Sequence, residues 1–370
     1  MRVPFYDIKA QYDDLASSMS EAVQSVLSSG VYVLGPNHNQ LEREIADRHG
    51  ITHGIGVANG TDALRILMDA VGIGEGDEVI TPAFTFVASV ETVVQTGATP
   101  VFVDIETESF GIDPAKIEAA ITSRTKAILP VHLFGQLCRI DEIKAIADRH
   151  GLLLLEDGAQ ALDSHCNGKF AGQYGLGCGF SFYVTKNLGA AGDAGMIITN
   201  HDEVNEQCRS MRIHGMGRER YYYDHLGYTS RLDEIQAAVL RVKLQKLDAW
   251  NTQRQKLAEI YLRELADLPL TLPTVLNGNN HTWHQFSILT DRRDDLQAFL
   301  KARGADSMIY YPVPIHFHSP YLKYGNGKGS LPVTEQVCEQ ILNLPIQPHL
   351  SEDQIHHVAR SVQEFLTTQS

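Results

Sequence analysis

Lys186 stands between an aromatic-rich apolar run and a glycine-rich turn in "FSFYVTKNLGAAGDAG", five residues after Ser181. A lysine can act as a surface cation, as a phosphate ligand, or as a nucleophile that forms an imine with a carbonyl group. The phosphate-loop pattern G-x-x-x-x-G-K-[ST] puts its glycines before the lysine, whereas here they follow it. Taken alone, such a lysine is a solvated loop residue, so other groups must decide its chemistry. "LLLLED" closes on Glu156 and Asp157, and a carboxylate ending a four-leucine run is desolvated and needs a cation or hydrogen-bond donors. "VANGTDAL" leads through Asn59 and Gly60 into Thr61, placing N–H groups and a hydroxyl at a positive helix N-terminus, a ready anion site. "TPAFTFVA" supplies Phe84 and Phe86, two aromatics able to stack on a planar ring.

The elements that must position these groups alternate in type. "GIGVAN", "DEVITP", "TPVFVD", "KAILPV" and "LLLLED" read as short buried strands, and "GCGFSFYV" and "GMIITN" add two more. Between them, "TDALRILMDAVG", "FVASVETVVQTG", "PAKIEAAI" and "IDEIKAIADRHG" carry apolar residues at helical spacing, several ending at a glycine. Continuously apolar strands alternating with helices predict an α/β domain whose mostly parallel sheet is covered on both faces. Ligands of such sheets lie beyond the carboxyl ends of the strands, where Asp157 and Asn59-Gly60-Thr61 fall. A helical stretch from Leu232 to Leu265 leads out of this domain. Beyond it "HTWHQFSIL" reads as a strand, "RRDDLQAFLKARG" as a helix and "SEDQIHHVARSVQEFL" as a last amphipathic helix. The expected division is a large domain over 1–250 and a smaller α+β domain over 251–370.

An anion cradle, an aromatic face, a buried carboxylate and a lysine on a flexible turn suit one cofactor. Pyridoxal phosphate needs a lysine for its Schiff base, a carboxylate to keep its pyridine nitrogen protonated, and a phosphate site. The segments "EDGAQA", "SFYVTKNLGAAGDAG" and "GYTSRLDEIQAAVL", with "ANGTDAL", "TPAFTF", "YYPVPIH" and "LNLPIQPHL", resemble the DegT/StrS family of sugar aminotransferases nearly end to end. The resemblance implies the fold-type I, aspartate aminotransferase-like architecture. It also implies that Lys186 forms the imine and shuttles protons, that Asp157 bonds the pyridine nitrogen, and that Gln160 sits near the ring oxygen. Ser181 with Gly60 and Thr61 would bind the phosphate, and Phe86 rather than Phe84 matches the stacking aromatic. Where the family often has an asparagine that reaches the partner subunit's phosphate, this chain has Thr229, a shorter donor. The resemblance further implies a homodimer, L-glutamate as amino donor and a keto-sugar linked to a nucleoside diphosphate as acceptor. The turn "NLGAAGDAG" is closer to members that aminate the 3-position than to the "GEGG"-like turns of 4-position enzymes. A 4-keto-sugar or cyclitol acceptor, or a non-catalytic regulatory member, are the alternatives; retained Lys186 and Asp157 favour the enzyme.

Composition excludes other classes. A formal charge of -14 argues against a general nucleic-acid binder. No run approaches a membrane span, and the N-terminus lacks the apolar core of a signal peptide. Five cysteines (138, 166, 178, 208 and 338) form no C-x-x-C pair and fit reduced thiols in a cytoplasmic protein. "HFH" at 316–318 could ligate a metal, but no cysteine or carboxylate cluster accompanies it. "RERYYYDH" (218–225) is read as a substrate-binding or interface loop, and "GNGKGS" (325–330) as a surface loop. His214, in "RIHGMG", matches a family position near the dimer interface and is assigned no chemistry.

Overall fold

A computed structural model describes residues 1–367. Seven strands form the central sheet: β1 (His53–Val57), β2 (Glu78–Pro82), β3 (Thr99–Val103), β4 (Thr125–Ile128), β5 (Leu153–Asp157), β6 (Gly177–Ser181) and β7 (Gly195–Thr199). Their order across the sheet is β1-β7-β6-β5-β4-β2-β3. Only β7 runs against its neighbours, pairing antiparallel with both β1 and β6, so the other six point the same way. Apolar residues on both faces of these strands force a three-layer arrangement. Helices Pro36–Arg48, Ile140–His150 and Glu234–Leu244 cover one face. Helices Gly60–Ala70, Ala88–Gln95 and Asp202–Met211 cover the other.

Register brings the chemistry to one edge. Asp157 pairs with Gly179, Ser181 with Gly195, and Gly195 in turn with Val57. The carboxyl ends of β1, β5 and β6 therefore meet, and with them Gly60, Asp157, Ser181 and Lys186.

A separate apolar cluster gathers Leu257, Tyr261, Trp283, Phe286, Leu296, Leu344, Ile355 and Phe365, together with Val3 from the N-terminal segment. Its two-stranded antiparallel sheet pairs β8 (Phe286–Leu289) with β9 (Ile341–Leu344). Two segments depart from their sequence reading. The expected helix from Leu232 to Leu265 is two helices, Glu234–Leu244 and Leu247–Glu264, with no proline or glycine marking the break. "HTWHQFSIL" is regular only from Phe286 onward; its first half follows the 134–135 loop, with Thr282 N–H donating to Gly135 at 2.7 Å and Gln285 N–H to Phe134 at 3.1 Å. All five cysteines are free and buried, and among the described residues no helix is long and apolar enough to cross a membrane.

Candidate active site

A cavity of about 630 Å³ opens at the carboxyl edge of the sheet, lined by Gly60, Thr61, Phe86, Asp157, Gln160, Ser181 and Lys186. Thr229 does not line it; its hydroxyl lies 3.0 Å from His214 Nε2 at the exposed surface. Tyr6, Arg65, His284, Gln285, Tyr310 and Tyr311 also line the cavity. Sequence reasoning had assigned none of these six a role. Tyr310 and Tyr311 open "YYPVPIH", and His284 and Gln285 fall in "HTWHQFSIL", whose apolar residues predict a strand.

Asp157 ends β5 and is buried. Its Oδ2 accepts from Ser89 Oγ at 2.6 Å and its Oδ1 from Ala159 N–H at 3.0 Å. Burial raises its pKa, while the Ser89 and Ala159 hydrogen bonds and the charge of Lys186 oppose the rise. Both donors are neutral, and among the described residues no Lys or Arg forms an ion pair with this carboxylate. A buried carboxylate with capacity left on the cavity side can accept a cationic N–H. Glu156, one residue earlier, points the other way. It accepts from the N–H groups of Gly172, Tyr174 and Gly175 at 3.0–3.2 Å and contacts His132 Nε2 at 3.1 Å. Strand alternation thus splits the two carboxylates between a site and a loop anchor.

Lys186 follows a tight turn in which its own N–H donates to Tyr183 C=O at 2.8 Å. Burial lowers its pKa to about 8, with Asp157 pulling the other way. The turn behind it is not a loose one. Asn187, Leu188 and Ala190 are buried, Lys243 Nζ donates to Gly189 C=O at 2.7 Å, and Ala191 N–H donates to Gln236 at 2.8 Å. Gly189 lies so close to the Val184 carbonyl that a side chain would collide with it. At Gly189 the missing side chain serves close packing.

Helix Gly60–Ala70 begins at the cavity. Asn59 caps it by accepting from Asp62 N–H at 2.7 Å, and Ala63 N–H goes back to Asn59 C=O, which leaves the Gly60 and Thr61 N–H groups without partners among the described residues. A Cβ on Gly60 would fall 2.7 Å from Ser181 Cβ, so only glycine lets the helix end meet that hydroxyl. Phe84 is fully buried in an aromatic cluster with Phe110 and Phe134. Phe86 is 54% exposed, with its centroid 6.1 Å from that of Tyr311. Gln160 takes Phe134 N–H at 2.9 Å and donates to Tyr311 Oη at 3.2 Å. His316 is buried against Phe102 and Phe317, with Nε2 3.6 Å from Glu335.

Free N–H groups at a glycine cradle, an exposed aromatic face, an unpaired buried carboxylate and a desolvated lysine fit pyridoxal phosphate. On this fold they define a pyridoxal-phosphate-dependent aminotransferase of fold type I. The chain belongs to the DegT/DnrJ/EryC1/StrS aminotransferase family, which it matches over residues 13–363. It is 47% identical over 369 residues to the "Pleiotropic regulatory protein" of Geobacillus stearothermophilus, covering 99% of each chain. It is 44% identical over 365 residues to the dTDP-3-amino-3,4,6-trideoxy-alpha-D-glucose transaminase of Streptomyces venezuelae, covering 98% of this chain and 96% of that one. The crystal structure of S. venezuelae DesV in complex with ketimine intermediate superposes with a TM-score of 0.96 at 44% identity, covering 99% of each chain.

Proposed function

We propose that this aminotransferase moves an amino group from L-glutamate to a 3-keto-hexose linked to dTDP or UDP, for amino-sugar biosynthesis. The single observation carrying this reading is the convergence of Lys186, Asp157, Ser181 and the Gly60–Thr61 helix end on one cavity. The named activity of the S. venezuelae transaminase supports the sugar and the 3-position. Bound here, pyridoxal phosphate supplies an electron sink for the reacting carbon. The chain's residues do the rest. Asp157 would hold the ring nitrogen, with Ser89 and Ala159 fixing its oxygens. Gly60, Thr61 and Ser181 would hold the phosphate, with Phe86 and Gln160 lining the same cavity for the ring. Lys186 Nζ takes and returns a proton at the reacting carbon; a pKa near 8 suits both directions near neutral pH.

The working unit in this reading is a cytoplasmic homodimer, with a large domain to about residue 250 and a smaller one after it, and with Tyr228 or Thr229 approaching the partner's site. Exposed Arg218 to Tyr223 would meet the nucleotide. The regulatory name of the Geobacillus relative favours a second reading, in which the chain is a non-catalytic regulatory member that keeps the pocket. Incubation with glutamate and a panel of dTDP- and UDP-linked 3-keto and 4-keto sugars, followed by mass spectrometry, tests the substrate. Aminated product from the 3-keto compounds is expected. Product from 4-keto sugars alone overturns the positional assignment, and product from none points to a cyclitol or another ketone.

A further inference from the structure

His284 lines the same cavity as Lys186 and has no part in the chemistry described so far. Its Nδ1 lies 3.1 Å from Oδ1 of Asn187, the residue after the lysine. Asn187 Nδ2 donates to the Thr282 carbonyl at 2.9 Å and to Asn251 Oδ1 at 3.1 Å. A carbonyl can only accept, so the amide of Asn187 must turn its NH₂ that way and its oxygen toward the imidazole. The same direction follows from the far end. Asn251 Nδ2 donates at 3.1 Å to Asp163, a carboxylate gripped by Arg48 at 2.5 and 2.7 Å, and this fixes the Asn251 amide as well. The Nδ1 of His284 therefore carries the proton. Burial, then the charges of Lys186 and Arg254 and the ring of His281, keep the imidazole neutral well below the ordinary histidine range. Of the groups around this pair, Asp157 acts on Lys186, while Arg254 and His281 act on His284. No hydrogen bond to Nε2 is found among the described residues, and His284 lines the cavity.

We propose that His284 is a specificity-determining residue, held by Asn187 in its neutral Nδ1–H tautomer so that Nε2 accepts a hydrogen bond from a hydroxyl of the acceptor sugar. This rests on the keto-sugar reading above. An acceptor-only nitrogen welcomes a hydroxyl and rejects a carboxylate or carbonyl at the same place, because two acceptors cannot satisfy each other.

Two measurements on the full-length protein test it. Histidine ring ¹H–¹⁵N correlation spectra of the wild type, with His284 assigned by its loss in His284→Gln, should show a Nδ1–H tautomer that does not titrate between about pH 5.5 and 8.5. The two half-reactions are then followed separately by cofactor absorbance. In His284→Leu the sugar half-reaction should fall about tenfold relative to the glutamate half-reaction, the factor one ordinary hydrogen bond carries. His284→Gln, which keeps an acceptor, should recover most of that ratio. An imidazole that protonates near its ordinary pKa, a Nε2–H tautomer, or equal slowing of both half-reactions in His284→Leu overturns the proposal. Wild-type inactivity toward every keto-sugar overturns the substrate reading and the sugar contact together, while the tautomer result stands apart from both.

Discussion

Ser89 Oγ donates to Asp157 Oδ2 across 2.6 Å, so a helix on one face of the sheet steadies the carboxylate at the end of a central strand. The hydroxyl favours the ionised form that burial opposes. Removing it should push the Asp157 pKa further up and weaken its grip on the ring nitrogen. A hydrogen bond to a charged group contributes roughly 1.5–3 kcal/mol, so Ser89→Ala should lose about ten- to a hundredfold in kcat. Asp157→Asn should lose more while still retaining the cofactor through the phosphate and lysine. Steady-state turnover checks both; a Ser89→Ala enzyme within twofold of wild type would refute the role given to Ser89.

Lys186 should react with pyridoxal phosphate as an amine whose midpoint lies near pH 8 instead of the ordinary 10.5. About a tenth of it is then neutral at pH 7, against a few parts in ten thousand for an unperturbed lysine. The capture rate of the apoprotein, measured by absorbance across pH, should inflect near 8. In Asp157→Asn the inflection should move lower, because the carboxylate that favours the charged amine is gone. Stability follows with a definite sign. Below about pH 8 the lysine is charged in both folded and unfolded states, and burial penalises the fold. Between about 8 and 10.5 only the unfolded chain holds the proton, so stability rises with pH. Lys186→Met should therefore be more stable than wild type below pH 8, and that advantage should shrink toward pH 10.5 in urea titrations.

Phe84 and Phe86 should separate cleanly. Phe84→Ala empties a fully buried site and should cost about 3–5 kcal/mol of stability. Phe86 is 54% exposed in the cavity, so Phe86→Ala should change stability little and weaken cofactor retention instead. Denaturant melts paired with dialysis of bound cofactor read the two effects. The reverse pattern would exchange their roles.

Assembly is tested by the surface. Leu226 is 97% exposed and Tyr221 70%, apolar side chains that a free monomer leaves wet. A two-fold dimer burying this loop is expected by light scattering. Leu226→Glu should weaken it and lower activity in step. A fully active monomer would contradict the shared site.

How much of this could be read from the chain differs by group. Lys186, Asp157, Gly60 and Thr61 sit where strand periodicity breaks off, and a parallel sheet aligns such ends on one edge, so local pattern was enough to bring them together. Pattern could not say which carboxylate of "EDGAQA" faces the cavity; the pairing of Asp157 with Gly179 and the loop at Gly172 to Gly175 decide that. Ser89 was hidden because its partner lies 68 residues away. His284 and Gln285 were hidden because apolar neighbours made an irregular stretch look like strand, and its backbone partners are Phe134 and Gly135. The glycines after Lys186 suggested mobility, but Gly189 gives room for close packing against the Val184 carbonyl and Gly192 takes a positive φ.

Borohydride reduction of the purified, cofactor-loaded protein, followed by digestion and mass mapping, tests the central assignment most directly. The reduced cofactor should be found on the peptide carrying Lys186 and nowhere else, and Lys186→Ala should trap none. Cofactor fixed to another lysine, or trapping that survives in Lys186→Ala, would contradict the account.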